Sequence, residues 1–424
     1  MESSQSSSSP FREIPYMGVI WVVAEAMKRG FTNGHPDWCN LGQGQPEVGP
    51  MEGAPPRISS IDLEPLDHAY GHLGGTDDFR DVVAAHYNRL FRRGKKSQYT
   101  RDHVSVASGG RLVLSRIFSA LRPMNIGYQI PDYTAYEDLF DLHEGRLHPV
   151  RVPSTLDEAY LIPADRLAKV AAEEKLGAFL LSNPCNPTGR VIRGHALADY
   201  VKVAREQNFL LLLDEFYSHF IYDGPGQPGS GPISGAEYVE DVDVDPVLFI
   251  DGLTKSFRYP GWRVGWVVGP KRFIDTLGRA ASATDGGPPR VTQRGGMKVL
   301  EPARADQETN ALRQVFCRKR DLMMASLSKM GVRFPAGSDS TFYLWGDLSG
   351  LPEPLRDADE FFRRAIERKV MTVPGRFFDV NPGKNRKGPS PFQSFMRFSF
   401  GPPEDNVRLG LSRLEEMVAE ARRG

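Results

Sequence analysis

Cysteine is scarce in this chain, and the cysteines present lack the spacing of a structural site. Three of them, Cys39, Cys185 and Cys317, occur in 424 residues, and no two form a C-x-x-C pair. An odd number without that spacing argues against a disulfide framework and against a zinc site, so we predict no metal. A reducing compartment is therefore expected.

Long apolar runs and an excess of charge are also absent. The chain has no 18 consecutive apolar residues, and its start, MESSQSSSSP, lacks the apolar core of a signal peptide. Its 53 basic residues balance 53 acidic ones, which leaves no net field to attract nucleic acid or an anionic membrane. We expect a cytoplasmic protein with a disordered serine-rich start and with neither nucleic acid nor membrane as a partner.

Short apolar runs that alternate with helical patterns dominate the middle of the chain. Between about Asp77 and Leu300 the runs include HVSVAS, IGYQIPD, LGAFLLSNP, FLLLLDE, VLFIDGL and GWRVGWVVGP, and stretches such as HALADYVKVAREQ separate them. Runs that are apolar on both faces are typical of parallel strands buried between two layers of helices. The pattern predicts an α/β fold with a mostly parallel sheet.

The two ends of the chain differ from this middle part. IPYMGVIWVVAEAMKRGF has helical spacing and precedes a Gly/Pro-rich loop, whereas the last third contains long charged helical stretches and the run STFYLWGDL. We predict an N-terminal tail and arm over residues 1–58, a large domain over 59–300 and a smaller α+β domain over 301–424. NPGKNRKGPSP, Asn381 to Pro391, is predicted to be a flexible surface loop.

Ligands of open α/β sheets bind where strands end, so the residues after each apolar run are candidates for function. VSVA leads into Ser108-Gly109-Gly110-Arg111 and a helical stretch, where backbone N–H groups and the helix dipole favour a phosphate. A tight turn that uses the glycines for positive φ is an equal alternative. AFLLS leads into NPCNPTG, whose two Asn-Pro pairs stiffen the turn and orient the amides; a plain β-turn is the alternative.

Two charged residues occur where burial is expected. FLLLLDEFY runs from apolar residues straight into Asp214, and a carboxylate at the end of a buried strand is costly unless it is paired. Capping of the next segment is the alternative. VLFIDGLTKSFRYPGWRVGWVVGP places Lys255 between two apolar runs, where partial loss of water lowers the pKa of its amine and makes it a nucleophile and base. An ordinary solvated lysine is the alternative.

A phosphate cradle, a fixed amide, a buried carboxylate and a lysine at strand ends of one sheet together meet the needs of pyridoxal phosphate. Its aldehyde requires an amine, its phosphate a cradle, its phenolic oxygen donors and its ring nitrogen an anion. In these motifs the chain resembles the class I/II aminotransferases, which are fold-type I enzymes that depend on pyridoxal 5'-phosphate (PLP). The resemblance extends from LGQGQPEVGP to MRFSFG. It implies a mostly parallel seven-stranded sheet and a homodimer with shared active sites.

The resemblance also implies a role for each matching residue. TKSFRYPGWRVG makes Lys255 the Schiff-base lysine, and DEFY makes Asp214 and Tyr217 its catalytic partners at the pyridinium nitrogen and the phenolic oxygen. The other implied cofactor contacts are Gly109, Gly110, Arg111, Thr254 and Arg263 around the phosphate, Tyr133 on the ring, Asn186 at the phenolic oxygen, and Tyr70 reaching the neighbouring subunit's phosphate. The implied substrate contacts are Gly44, Asn186 and Arg397.

The sequence departs from the family pattern in two places. Gly252 stands where members often carry a phosphate-binding serine or threonine, a role for which Thr254 is a partial substitute. RAASATDGGPPR has Ser282 near the arginine of dicarboxylate-specific members, so aspartate-type specificity is not indicated.

The expected reaction is transfer of an amino group between an L-amino acid and a 2-oxo acid. The same scaffold hosts lyases and cyclases of the aminocyclopropane-carboxylate synthase kind and amino-acid oxidases or hydroxylases, which stay open as alternatives because fold resemblance does not separate them. A noncatalytic ligand-sensing domain is disfavoured, since the lysine and the carboxylate arginine are both present. The segments NPGKNRKG and GRFFDV are candidates to overhang the site.

Overall fold

The computed structural model describes residues 10–11, 14 and 16–423, so residues 1–9 of the predicted disordered start lie outside the described part. The helices are α1 (Gly18–Met27), α2 (Asp77–Phe91), α3 (Gly110–Ala120), α4 (Ala135–Asp141), α5 (Ala164–Glu173), α6 (His195–Gln207), α7 (Lys271–Thr284), α8 (Arg290–Val299), α9 (Pro302–Met330), α10 (Ala358–Glu367) and α11 (Glu404–Arg423). The strands are β1 (Cys39–Asn40), β2 (Val104–Ala107), β3 (Met124–Ile130), β4 (Leu147–Pro153), β5 (Leu176–Ser182), β6 (Leu210–Asp214), β7 (Val247–Gly252), β8 (Gly265–Val268), β9 (Tyr343–Asp347), β10 (Val370–Met371), β11 (Val373–Pro374) and β12 (Phe395–Ser399).

A seven-stranded sheet forms the centre of the molecule. Its strand order is β2-β8-β7-β6-β5-β3-β4, and β8 alone runs antiparallel to both of its neighbours. The other pairs, from β7 through to β4, are parallel. The predicted mostly parallel, seven-stranded sheet is therefore confirmed.

The inner strands of this sheet are buried on both faces, which explains their continuous apolar runs. Successive residues point to opposite faces, so Leu212 and Leu248 join one hydrophobic core while Leu211 and Phe249 join another. Every residue of β7 is buried. A strand with helices on both sides has no polar face, and its sequence cannot alternate.

Two smaller sheets lie outside the large one. Strands β11, β12 and β9 form an antiparallel sheet, and β1 from the N-terminal segment pairs in parallel with β10. Four of these five strands follow the long helix α9, which gives the last third the expected α+β character. The limits that we set at residues 58 and 300 stay a prediction.

Two segments outside these sheets were also predicted from the sequence. The helix expected in the N-terminal arm is present as α1. The loop Asn381–Pro391 is tied to α4, because the backbone N–H groups of Asn381 and Gly383 donate to the carboxylates of Glu137 and Asp141, each at 2.7 Å. Within the described residues, no helix combines the length and the apolar character needed to cross a bilayer.

Candidate active site

A cavity of about 730 Å³ opens where the parallel strands of the large sheet end. Strands β5, β6 and β7 all lead into it, as expected for the ligand site of an open parallel sheet. The predicted site residues that line it are Gly44, Gly110, Arg111, Tyr133, Asn186, Asp214, Tyr217, Thr254, Lys255, Arg263 and Arg397. Folding thus brings together residues that are more than 350 positions apart in the chain.

Lys255 follows β7 and is the one lysine among the described residues that line the cavity. Its ammonium donates a hydrogen bond to the backbone oxygen of Gly44. Burial, reinforced by the guanidinium groups of Arg397 and Arg263, lowers the pKa of Lys255 to about 7, although Asp214 acts in the opposite direction. A large share of this amine is therefore neutral near pH 7, as a nucleophile requires.

Asp214 is the last residue of β6 and is buried at the floor of the cavity. The hydroxyl of Tyr136 donates a hydrogen bond of 2.8 Å to Asp214 Oδ2. Burial raises the pKa of Asp214 to about 6, and the hydrogen bond from Tyr136 limits that rise. The carboxylate therefore stays mostly ionised at neutral pH and presents a buried negative charge to the cavity.

Arg397 lies on β12, in the middle of the small antiparallel sheet, and is almost completely buried. Its Nη1 donates to Asn186 Oδ1 and its Nη2 to the backbone oxygen of Gly42, both at 2.8 Å, and its guanidinium carbon lies 4.1 Å from the ring centre of Tyr343. Its Nε has no partner among the described residues. A fixed guanidinium with a free N–H is suited to receive a carboxylate.

Three aromatic side chains complete the inner wall. The hydroxyl groups of Tyr217 and Tyr343 are hydrogen-bonded at 3.0 Å, and burial raises the pKa of both above its usual value. These two hydroxyls therefore stay protonated at physiological pH and can act as donors. Tyr133 lies close to the start of α3, where Arg111 Nη2 donates to its hydroxyl at 3.4 Å.

The start of α3 forms the predicted phosphate loop. Gly109 has φ +92, and a Cβ added there would come closer than 3.0 Å to the guanidinium of Arg263, so the glycine lets that side chain approach the loop. The N–H of Gly109 itself donates to Ala107 O at 2.7 Å, which leaves the N–H groups of Gly110 and Arg111, in the first turn of α3, to face an anion. The hydroxyl of Thr254 is buried and has no hydrogen-bond partner among the described residues.

Two predicted site residues are not part of the cavity lining. Gly109 adjoins the lining residue Gly110, whereas Tyr70 lies away from the cavity of its own chain. The side chain of Tyr70 is 99% exposed, and it belongs to a segment with other exposed apolar residues, Leu63 and Leu66. The exposed side chain of Tyr70 is compatible with a contact to a second subunit but does not demonstrate one. The role predicted for Tyr70 therefore stays a prediction.

Sequence reasoning missed three features of the site. Tyr136 and Tyr343, whose hydroxyls bond Asp214 and Tyr217, were not recognised. Tyr136 lies three residues after Tyr133 in DYTAY, in the first turn of α4, and this spacing could have identified it. The outer wall was also misassigned. None of the described residues of NPGKNRKG or GRFFDV lines the cavity; residues of α1 and of the segment 31–38 do.

Comparison with known proteins agrees with this geometry. The family model described as aminotransferase class I and II matches residues 36–414. The chain belongs to this family. It is accordingly a PLP-dependent aminotransferase, and its substrates are an amino acid and a 2-oxo acid.

Relatives and solved structures of this aminotransferase cover nearly its whole length. It is 27% identical to the aspartate aminotransferase of Sulfurisphaera tokodaii over 395 residues, 89% of each chain. It is 26% identical to the aspartate/prephenate aminotransferase of Thermus thermophilus, over 83% of this chain and 84% of that protein. The structure of the Thermus thermophilus aspartate aminotransferase with maleate matches with a TM-score of 0.76 at 22% identity, over 96% of this chain and all of the other, which shows the shared fold.

The residues of the cavity fit PLP. The unpartnered hydroxyl of Thr254, the N–H groups of Gly110 and Arg111 at the start of α3, and the guanidinium of Arg263 together form a cradle for a dianionic phosphate. In the same cavity Lys255, which directly follows Thr254, offers the amine that the aldehyde requires.

Proposed function

We propose that Lys255 both carries the cofactor and moves the Cα proton of the substrate in an amino-group transfer between an L-amino acid and a 2-oxo acid. One observation carries this proposal. Lys255, the one lysine among the described residues of the lining, has a pKa near 7 and shares the cavity with a buried carboxylate, Asp214, and a buried guanidinium, Arg397. A neutral amine at this place serves first as a nucleophile and then as a general base.

We propose further that the two ends of the cavity hold two different anions. Arg263, Thr254 and the N–H groups of Gly110 and Arg111 would hold the phosphate of PLP, at the start of α3, where the helix dipole also favours an anion. Arg397 would hold the α-carboxylate of the substrate. A substrate would then be oriented by these two sites of one cavity.

Asp214, Tyr217 and Asn186 are proposed to tune the bound cofactor. When bound, PLP supplies an electron-accepting ring that stabilises the charge left after an amino acid loses its Cα proton. The buried carboxylate of Asp214 would keep the ring nitrogen protonated, because an opposite charge in a buried site favours the charged form. Tyr217 and Asn186 would donate to the phenolic oxygen, and Tyr133 would cover the ring.

Arg397 is held in place before any substrate arrives. Its contacts with Asn186 Oδ1 and Gly42 O leave its planar fork fixed, so little side-chain entropy is lost when a carboxylate binds. Lys255 donates to Gly44 O, which lies on the same wall, and so the lysine rests near the place where the Cα of a bound substrate would lie.

We also propose a homodimer with shared active sites, and the basis for this proposal is the exposure of Tyr70. A fully exposed tyrosine among exposed leucines is unusual on a monomer and suits a contact with a second copy, whose phosphate site it would reach. We also propose a cytoplasmic location, in keeping with three cysteines that are all unpaired.

The test is formation of a 2-oxo acid from an amino acid by the PLP-loaded enzyme, with and without an added acceptor oxo acid. We expect sustained product only with the acceptor. Release of ammonia or of an unsaturated product without an acceptor would contradict amino-group transfer and point to oxidase or lyase chemistry. Lys255→Ala should lose both the cofactor absorbance and the turnover, whereas Lys271→Ala, at the partly exposed start of α7, should keep both.

A further inference from the structure

We propose that this aminotransferase takes amino acids with a large apolar side chain, aliphatic or aromatic, and that α1 forms the wall of the pocket that receives it. The inference deepens the proposed function and rests on it, because it needs the α-carboxylate at Arg397 and the reacting carbon near Lys255. It concerns the part of the cavity that the cofactor and the carboxylate do not use.

The charged groups of the cavity are all assigned elsewhere. Among the described lining residues the groups with a fixed charge are Arg111, Asp214, Lys255, Arg263 and Arg397. Four of them are proposed to contact the cofactor or the α-carboxylate through their side chains. The fifth, Arg111, directs its guanidinium to the hydroxyl of Tyr133, to which Nη2 donates at 3.4 Å. Among these lining residues, no guanidinium or ammonium therefore remains for a second carboxylate, and no carboxylate remains for a basic side chain.

Helix α1 turns one face to the protein and another to the cavity. On the first face Trp21 packs on Phe362 and Phe377, with ring centres 5.0 and 5.2 Å away, and Val22 and Ala26 are buried. On the second face Val19, Ile20 and Val23 line the cavity. This division follows from the helical period, since positions 19, 20 and 23 share one side.

The position of α1 is fixed at both ends. Gly18 has φ +54 and stands against Thr134, where an added Cβ would come closer than 3.0 Å to the threonine hydroxyl, and Thr134 is the neighbour of Tyr133. At the other end Arg29 Nε donates to Glu367 of α10 at 3.0 Å. The apolar face is thus held beside the residue proposed to cover the cofactor ring.

The apolar wall continues beyond the helix. Phe31 and Trp38 both line the cavity and meet edge to face, with ring centres 5.5 Å apart. The polar side chains on the same rim are neutral amides or engaged: Asn406 donates to Trp38 O at 2.9 Å, and His35 Nδ1 accepts from Asp37 N at 3.2 Å. Together these groups offer contacts to an uncharged side chain.

The energetic preference follows from these contacts. An apolar substrate side chain gains by leaving water against Val19, Ile20, Val23, Phe31 and Trp38. A carboxylate at the same place would lose water and receive no opposite charge, only the neutral amides of the rim, which is more costly. Ile20, which is 47% exposed although its side chain is fully apolar, is the position where an occupant would remove most water.

Binding of unreactive analogues to the PLP-loaded enzyme tests the pocket without relying on turnover. Calorimetry with 3-phenylpropanoate, which has one carboxylate and an apolar group, and with succinate, which has two carboxylates, measures the preference directly. We expect the first to bind at least about tenfold more tightly, the lower end of what a single methylene achieves in an apolar pocket. Equal binding, or tighter binding of succinate, overturns the proposal.

A variant of α1 with a matched control locates the pocket. Ile20→Arg should reverse the preference in favour of succinate by offering a guanidinium to the second carboxylate, whereas Met27→Arg, on an exposed part of the same helix away from the cavity, should leave it unchanged. Failure of the proposed function is distinguishable. If no amino acid changes the absorbance of the bound cofactor, the proposed function is refuted. If the enzyme reacts with aspartate at least as fast as with phenylalanine, only the apolar pocket is overturned.

Discussion

Replacing Tyr136 with phenylalanine should raise the pKa of Asp214 and shift the pH dependence of cofactor-ring binding to higher pH. The hydroxyl of Tyr136 donates 2.8 Å to Asp214 Oδ2 in a buried site, and it lowers the pKa that burial has raised to about 6. A hydrogen bond to a charged group contributes roughly 1.5–3 kcal/mol, and one pKa unit corresponds to about 1.36 kcal/mol. The variant should therefore have an Asp214 pKa of roughly 7–8.

The size of the effect at neutral pH follows from the ionised fraction. With a pKa of about 6, Asp214 is roughly nine-tenths ionised at pH 7; with a pKa of roughly 7–8 it is between one-half and one-tenth ionised. Since the ionised form is the one proposed to bind the ring nitrogen, affinity should fall by roughly two- to tenfold at pH 7. The loss should shrink as the pH rises.

Pyridoxine 5'-phosphate is the suitable probe, because it keeps the ring and the phosphate but has no aldehyde to condense with Lys255. Its dissociation constant, measured by tryptophan fluorescence between about pH 5.5 and 8.5, should rise on acidification at a higher pH in Tyr136→Phe than in the wild type. Tyr200→Phe is the control, since Tyr200 is equally buried and donates 2.7 Å to Ile162 O, far from any acid of the site. Superimposable profiles, or an equal loss at every pH, would refute the reasoning.

Three further changes test other parts of the structure. Gly252→Ala should lower the free energy of unfolding by roughly 1–3 kcal/mol, while Gly278→Ala, with open space around it, should not lower it. Equal melting temperatures of the two variants would contradict this expectation. Burial raises the pKa of Glu215 to about 8, so its contribution to stability is fully present below about pH 4.5 and is lost as the pH rises through about 8. In urea unfolding of the apoprotein, the stability of Glu215→Gln relative to the wild type should accordingly increase as the pH rises between these limits. A difference that is the same at every pH would count against the raised pKa of Glu215. Thr254→Val should weaken PLP binding by roughly 10- to 150-fold without destabilising the apoprotein, and Thr254→Ser should preserve it; a matched loss in both variants would exclude the hydroxyl as the cause.

The large sheet and the placement of Asp214 and Lys255 at its ligand edge were predictable because local sequence determines them. Strands buried on both faces are continuous apolar runs, and the residues at the ends of the parallel runs lie at the ligand edge of the sheet, as Asp214 at the end of β6 and Lys255 after β7 both do. Strand β4 escaped prediction because it is an edge strand with exposed residues and with Pro149, which pairs opposite Ile126 at a position a central strand would not tolerate.

The contacts that orient the site were not predictable, because they join distant parts of the chain. Tyr136 and Asp214 are 78 residues apart, Tyr217 and Tyr343 are 126 apart, and Asn186 and Arg397 are 211 apart. A single sequence shows no periodicity that links such positions. The same holds for α1, whose amphipathic pattern predicts a helix but not which of its faces meets a cavity.

Gly252 stands where family members often carry a serine or threonine, and lack of space explains the glycine. A Cβ at this position would come closer than 3.0 Å to Val264 O and Gly265 Cα, which belong to or adjoin strand β8, and the ring of Phe216 lies 3.1 Å away. A serine here would therefore have to displace the backbone of β8, not merely a side chain. A hydroxyl that remains for a phosphate is that of Thr254, which is buried, lines the cavity and has no partner among the described residues. An unsatisfied buried hydroxyl is costly in the empty site, and a bound phosphate oxygen would remove that cost. Close packing of β7 on β8 thus excludes a hydroxyl at position 252, and under the proposed function Thr254 would supply the phosphate contact instead.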